Sequence, residues 1–160
     1  MKISVTWHAP LPLRGPARDL CDTFDIDLLP SAPAVYIFAR RFGPKISALY
    51  VGKAEIFRLR MRTQLNNNRL MRALDDAPIG ERVLIYGTFN GKGGQRIFTL
   101  LDTVERALIN HFTEEKHDLI NRRGTRLQVD EIEFDGSRII TRATGRTLRV
   151  LKPRVLSERE

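Results

Sequence analysis

An α+β fold, with a central three-stranded antiparallel sheet flanked by helices, is what the sequence predicts for this chain. Three segments carry the β-branched and aromatic residues that favour strands, namely residues 34–39, 47–52 and 82–89. Residues 97–115 repeat apolar side chains at steps of three and four with no proline, which is typical of a buried amphipathic helix. With 160 residues, 42% of them hydrophobic, the chain is long enough to close one core, and we expect a single globular unit.

The first thirty residues predict an appendage to that unit. Residues 3–8 alternate like a short strand, the prolines that follow break it, and residues 17–24 favour a brief helix. We therefore interpret residues 1–32 as an N-terminal appendage that contributes a β extension.

The middle of the chain predicts the core elements in order. Gly43 and Pro44 separate the first two strand segments, which indicates a hairpin. Residues 55–65 lack glycine and proline and place apolar side chains at every fourth position, as a helix with one packed and one basic face does. Residues 90–94 (NGKGG) predict a flexible loop. Together these elements delimit a core over residues 33–124.

The C-terminal residues alternate again and predict a second β extension. Asp135 and Gly136 form a hairpin turn signal between strand segments at residues 132–134 and 138–141. We expect residues 125–160 to form a basic C-terminal β extension of the same globular unit.

The balance of charge favours a polyanionic partner. Lys and Arg number 27 against 19 Asp and Glu, which gives a net charge of +8. Nucleic acid is the first candidate for such a partner. An anionic membrane surface, or a basic surface without a nucleic-acid role, stays open as an alternative.

The cysteine content and the hydropathy indicate the compartment. Cys21 is the one cysteine, so an intramolecular disulfide is excluded, and neither CxxC nor HExxH occurs. Prolines and charges interrupt every apolar run before it reaches the length of a signal peptide or a membrane span. We expect a cytoplasmic protein without a membrane partner.

Five motifs in a fixed order carry a family resemblance. They are VYI at residues 35–37, YVG at residues 50–52, Arg60 ten residues after the second tyrosine, Glu105 within VERALI, and Asn121 within LIN. This set resembles the GIY-YIG nuclease superfamily, and the run LYVGKAEIFRLR is similar to the nuclease domain of its excision-repair subunit. The resemblance implies a small GIY-YIG-like domain.

Two positions depart from the family pattern. Ala34 stands where the family usually has glycine, which affects backbone freedom more than chemistry. Gln64 stands where active members often carry histidine or tyrosine, and glutamine cannot act as a general base.

The resemblance implies a metal-dependent endonuclease that hydrolyses DNA phosphodiester bonds with Mg²⁺ or Mn²⁺. It implies that Tyr36 is the general base and that Tyr50 positions water or phosphate, and Lys53 supplies a supporting cation nearby. A phenol has an ordinary pKa of about 10, so Tyr36 needs cations or a metal-bound water to assist it. On composition alone, two ordinary strand tyrosines are the better interpretation.

The remaining site residues supply charge and orientation. The guanidinium of Arg60 can bind two phosphate oxygens at once. Glu105 borders the apolar face of its helix, where a carboxylate needs a partner, and the resemblance makes it a catalytic residue and the metal ligand; a salt bridge to Arg60 or to a lysine is the alternative. Asn121 orients the site in the family, and a cap or turn role is its alternative.

DNA binding extends beyond the catalytic set in this interpretation. Arg58, Arg62, Lys53 and Arg69 are candidates for nonspecific phosphate contacts, with ordinary solvated charges as the alternative. A homodimer is possible, because the C-terminal segment could pair with a second copy. The competing function is a catalytically inactive GIY-YIG-like module that binds nucleic acid without cutting it.

Overall fold

The computed structural model describes residues 2–77, 79–90, 96–121 and 130–150. Within these ranges the strands are β1 (Lys2–Trp7), β2 (Leu11–Pro12), β3 (Ala34–Phe42), β4 (Lys45–Ala54), β5 (Glu81–Phe89), β6 (Asp130–Gly136) and β7 (Thr147–Val150). The α-helices in the same ranges are α1 (Leu20–Thr23), α2 (Phe57–Gln64), α3 (Asn68–Asp76), α4 (Ile97–Glu114) and α5 (Arg138–Thr144), and 3₁₀ turns cover Ala17–Asp19 and Ile26–Leu28. The predicted loop beyond Asn90 and part of the predicted basic C-terminal β extension lie outside the described residues.

The sheet confirms the α+β class and corrects the predicted number of strands. Its strand order is β4-β3-β5-β1-β6-β7, with β2 paired to β5. The expected antiparallel trio β4-β3-β5 is present, but the prediction of a three-stranded sheet was wrong. The reason lies in β1, whose alternate residues Ile3, Val5 and Trp7 are all buried. Burying that face puts β1 inside the sheet, antiparallel to β5 and parallel to β6.

The C-terminal hairpin prediction was also wrong, because residues 138–141 belong to helix α5. Gly136 ends β6 with a φ of 95°, a conformation in which a Cβ would overlap the backbone of Trp7. The chain then turns into a helix that buries Ile140 and Thr144, which are one turn apart. Two adjacent isoleucines are compatible with an inward-facing strand and with this helix. Ile140 packs on the main core, and this contact favours the helix.

Two layers of helix cover opposite faces of the sheet. Helix α4 packs on the face that carries Val35 and Ile37, whereas α2 and α3 pack on the face that carries Tyr36 and Phe38. Because β4 is the edge strand beside β3, its end is accessible from both layers. Within the described part of the chain, none of the helices has the length and apolar character needed to cross a bilayer.

Candidate active site

The two motif tyrosines lie on the same face of the sheet. Tyr36 of β3 and Tyr50 of β4 have ring centroids 6.2 Å apart and nearly parallel planes. Tyr36 is paired in register with Gly52, and a Cβ at Gly52 would overlap the phenol ring of Tyr36. The glycine of the second motif therefore leaves the space that the tyrosine of the first motif fills.

Gln64 holds both tyrosine hydroxyls. Its buried Nε2 donates to the hydroxyl of Tyr36 at 2.6 Å and to that of Tyr50 at 3.2 Å. The Nδ2 of Asn67 donates to Oε1 of Gln64 at 3.2 Å, which fixes the orientation of the amide. In the sequence Gln64 stood out only as a departure from the family pattern. Its hydrogen-bonding role depends on the register of β3 and β4 and could not be inferred without it.

Burial dominates the acidity of Tyr36. Burial raises the pKa of Tyr36 to about 12, although hydrogen bonds from Gln64 and Arg60 act in the opposite direction. The Nε of Arg60 lies 3.5 Å from the hydroxyl, at the limit of a hydrogen bond. Because both of these partners are donors, the hydroxyl accepts from them and keeps its own proton available for a ligand.

A lysine bridges two acids on the α4 side of the sheet. The Nζ of Lys53 lies 2.6 Å from Oδ1 of Asp102 and 2.9 Å from Oε2 of Glu105. Burial opposes the charge of Lys53, but the two carboxylates outweigh burial and raise its pKa. Arg106 also contacts Asp102, at 3.0 Å. The ion pair with a lysine, the alternative to a metal for Glu105, is thus present, and Asp102 belongs to the same cluster.

Asn121 fastens the outer edge of β4. Its Oδ1 accepts a hydrogen bond from the backbone N–H of Val51 at 3.2 Å, and its Nδ2 donates to the carbonyl of the same residue. The N–H of Ile120 donates to the carbonyl of Leu49, at 2.8 Å. These bonds pair the chain after α4 with the edge strand at Leu49 and Val51, so Asn121 positions the strand that carries the second motif.

These side chains share one cavity of about 630 Å³, which we call the tyrosine cleft. Its lining comprises Tyr36, Tyr50, Lys53, Ala54, Glu55, Ile56, Leu59, Arg60, Thr63, Phe98, Glu105 and Asn121. All six residues that the sequence predicted as catalytic therefore lie around a single opening. Since Tyr50 and Lys53 leave β4 on opposite faces, the cleft wraps around the end of the edge strand.

The predicted DNA-binding arginines do not line the cleft. Arg58 donates to the backbone carbonyls of Leu29 and Asp27, at 2.8 and 3.4 Å, and so fastens the N-terminal segment to α2. Arg62 and Arg69 are exposed. Of the four candidates, Lys53 alone lines the cleft.

The donor set can be compared with the metal that the family resemblance implies. No group of three or more His, Cys, Asp or Glu side chains that could hold a metal ion occurs among residues 2–77, 79–90, 96–121 and 130–150. Mg²⁺ is often held by one or two carboxylates together with water and substrate phosphate. The Oε2 of Glu105 is buried and makes no hydrogen bond of good geometry, with Lys53 as its ion-pair neighbour. Glu105 therefore fits as a single-carboxylate ligand if the ammonium of Lys53 moves aside.

Comparisons of the chain with protein-family models, with curated proteins and with solved structures find no match. The interpretation of the tyrosine cleft therefore depends on its own residues and geometry.

Proposed function

We propose that the protein is an endonuclease that hydrolyses DNA phosphodiester bonds in the tyrosine cleft with the help of Mg²⁺ or Mn²⁺. One observation carries the proposal. Two tyrosines, two cations and a buried carboxylate, which are separated in the sequence, line a single cavity. These groups match what phosphodiester hydrolysis requires: a nucleophilic water, positive charge on the phosphate and a place for a cation.

Arg60 and Lys53 are the groups that would receive the phosphate. A guanidinium can donate to two phosphate oxygens at once, and Arg60 reaches the cleft from α2 while it contacts Tyr36. Lys53 approaches from β4. Positive charge at these two positions would stabilise the negative charge that develops on the phosphate oxygens as water attacks phosphorus.

Tyr36 is the group proposed to receive the proton of the attacking water. With its pKa raised to about 12, the free phenol is protonated at neutral pH and acts first as a hydrogen-bond donor. A cation close to the hydroxyl favours the phenolate, which can then accept a proton. Tyr50 lies beside it and orients the water. The water oxygen forms a new P–O bond as the P–O bond to the leaving sugar oxygen breaks, and that oxygen takes a proton from solvent, which gives a phosphomonoester and a hydroxyl group.

Glu105 is the residue that would hold the metal ion. A bound Mg²⁺ or Mn²⁺ would neutralise phosphate charge and lower the pKa of water. Its binding requires Lys53 to release Glu105, and Asp102 remains as a second carboxylate partner for the ammonium. Asp102 thus keeps Lys53 charged and near the cleft.

Cleavage of supercoiled plasmid at low salt tests the proposal. We expect wild-type protein to produce nicked or linear DNA with Mg²⁺ or Mn²⁺, and Tyr36→Phe and Glu105→Ala to lose that activity. Tyr86→Phe is the matched control, since Tyr86 pairs with Tyr36 across β3 and β5 but does not line the cleft. Linear product without a nicked intermediate would favour the possible homodimer. If Tyr36→Phe still cleaves DNA, Tyr36 is not the general base.

The second candidate is a nucleic-acid-binding module without catalysis, which the contacts of two residues favour. Gln64 donates hydrogen bonds to both tyrosine hydroxyls, and Lys53 forms an ion pair with the carboxylate that would hold the metal. Such a module would bind DNA with strong salt dependence and without any effect of divalent metal beyond its ionic strength. The site of action we propose for either function is the cytoplasm, because the exposed thiol of Cys21 is free, as is usual in a reducing compartment.

A further inference from the structure

The mouth of the tyrosine cleft carries exposed apolar side chains beside the polar side chains that line it. Ile56, Leu59 and Phe98 are 49%, 57% and 66% exposed, and all three line the cleft. They make up half of the six large hydrophobic side chains that are exposed in the described part of the chain. We call these three residues the apolar rim. Large hydrophobic side chains that are gathered at one opening, rather than scattered singly, indicate a binding surface.

The rim belongs to two separate helices. Ile56 precedes α2 and Leu59 lies in its first turn, next to Arg60, whereas Phe98 lies in the first turn of α4. The cations and tyrosine hydroxyls lie at the same opening. A ligand that contacts both the apolar rim and the cations must carry negative charge close to an apolar surface. A nucleotide with an accessible base has this combination.

A paired base cannot use the rim. In a duplex the bases are stacked on their neighbours and only sugar and phosphate face outward, so an intact duplex would satisfy Arg60 and Lys53 and leave the apolar rim in water. An unpaired nucleotide can place its base on an aromatic ring, and such stacking is tolerant of sequence.

We propose that the tyrosine cleft binds an unpaired nucleotide, with its base on Phe98 and its phosphate at Arg60 and Lys53. The preferred substrate is accordingly DNA that is single-stranded or unpaired at the bond to be cut, and not continuous duplex. This inference rests on the proposed function for the identity of the site. The net charge of +8 favours a nucleic acid over a second copy of the chain, because a second copy would carry the same net charge.

Binding in EDTA tests the base site without any need for cleavage. Fluorescence anisotropy would compare a short labelled single strand with a blunt duplex of the same sequence, for wild type, Phe98→Ala and Phe98→Trp. Ile79→Ala is the matched control, because Ile79 is 83% exposed and does not line the cleft. Phe98 buries little surface, so Phe98→Ala should fold, and circular dichroism would verify this.

We expect wild type to bind the single strand more tightly than the duplex. Phe98→Ala should weaken single-strand binding by roughly 5- to 150-fold, the range for loss of one base–aromatic stack, and leave duplex binding within about twofold. Phe98→Trp should bind like wild type, and Ile79→Ala should have no effect.

Several outcomes would overturn the base site. They are equal loss on both ligands, no loss on either, a wild-type preference for duplex, or a dimer on gel filtration that Phe98→Ala converts to monomer. The last result would make the rim an interface between copies. If wild type binds no DNA at all, both proposals fail. If Phe98→Ala selectively loses single-strand binding and wild type does not cleave DNA, the base site stands and the nuclease is rejected. If wild type cleaves DNA and Phe98→Ala cleaves it equally well, the nuclease stands and the base site is rejected.

Discussion

The side-chain amide of Gln64 donates to the hydroxyl of Tyr36 at 2.6 Å. A second hydrogen bond from the same nitrogen reaches Tyr50, so one amide couples the two motif tyrosines. The Nδ2 of Asn67 donates to Oε1 of the same amide. The Oδ1 of Asn67, the N-cap of α3, accepts a hydrogen bond from the N–H of Leu70. The position of the two hydroxyls is thus coupled to the start of the next helix.

Replacing Gln64 by leucine should destabilise the protein without changing its fold. Gln64→Leu keeps the volume but leaves the hydroxyls of Tyr36 and Tyr50 and the amide of Asn67 without their partner. Unpaired buried groups of this kind cost about 1 to 3 kcal/mol. Urea denaturation would measure the loss. Thr63→Ala, at the exposed neighbouring position, is the control and should change the free energy of unfolding by less than about 0.5 kcal/mol. Equal stability of Gln64→Leu and wild type would contradict the coupling.

The raised pKa of Tyr36 predicts a specific loss of stability in alkali. Folding raises this pKa from 10.0 to about 12, so the folded state holds the phenol proton more tightly than the unfolded state does. The resulting stabilisation, about 2 to 3 kcal/mol, is fully present below pH 10 and is lost as the pH rises toward 12. Urea denaturation at increasing pH should show this loss in wild type and a smaller one in Tyr36→Phe.

The control for the alkaline experiment is Tyr86→Phe. Burial also raises the pKa of Tyr86, but that side chain is half-buried, and the variant should keep the loss that Tyr36 causes. If Tyr36→Phe and wild type lose stability in parallel between pH 10 and 12, burial of the Tyr36 phenol does not control its ionisation.

Gly52→Ala should disturb the site through sterics alone. The new Cβ would overlap the phenol of Tyr36, and overpacking of this kind costs about 1 to 3 kcal/mol. Tyr36→Ala creates space at the same place. The two substitutions should therefore be non-additive, and the double variant should be more stable than the sum of the single losses predicts. Additive losses in a double-mutant cycle measured by urea denaturation would show that the phenol does not lie over Gly52.

Lys53→Met should destabilise the protein, because Glu105 would lose its neighbouring cation. The substitution removes the nearest cation from a largely buried carboxylate. The free energy of unfolding should fall by about 1 to 3 kcal/mol, since the pair is partly exposed. Glu105→Gln in the same chain removes the charge and should recover part of the loss. Thermal unfolding of the four proteins of this cycle is the measurement. Recovery that is equally large with Glu114→Gln, an exposed acid on the same helix, would contradict a specific pair.

The sequence predicted the local elements better than the distant pairings. Strands β3, β4 and β5 and helix α4 follow from periodicities within short segments, and their bounds agree to within a few residues. The parallel pairing of β1 with β6 joins residues more than 120 positions apart, and nothing local specifies it. Helix α5 was predicted as a strand because a short apolar run suits both structures until its tertiary contacts are known.

For the site, the motif order predicted which residues meet but not how they contact one another. Tyr36, Arg60 and Glu105 were expected to lie together, and they line one cleft. The hydrogen bonds of Gln64, the second acid at Asp102 and the exposure of Phe98 depend on register and on the packing of α2 and α4. Periodicity assigns such residues to a helix face but does not specify their partners.

The most direct test of the account compares binding and cleavage in one variant, Glu105→Gln, on the same DNA. If Glu105 holds the metal ion, this variant should bind DNA at least as tightly as wild type, because it removes a negative charge beside the phosphate site, and should cleave at least about 100-fold more slowly. Glu114→Gln should match wild type in both measurements. Cleavage by Glu105→Gln at the wild-type rate, or DNA binding by wild type without cleavage in Mg²⁺ or Mn²⁺, would contradict a catalytic tyrosine cleft.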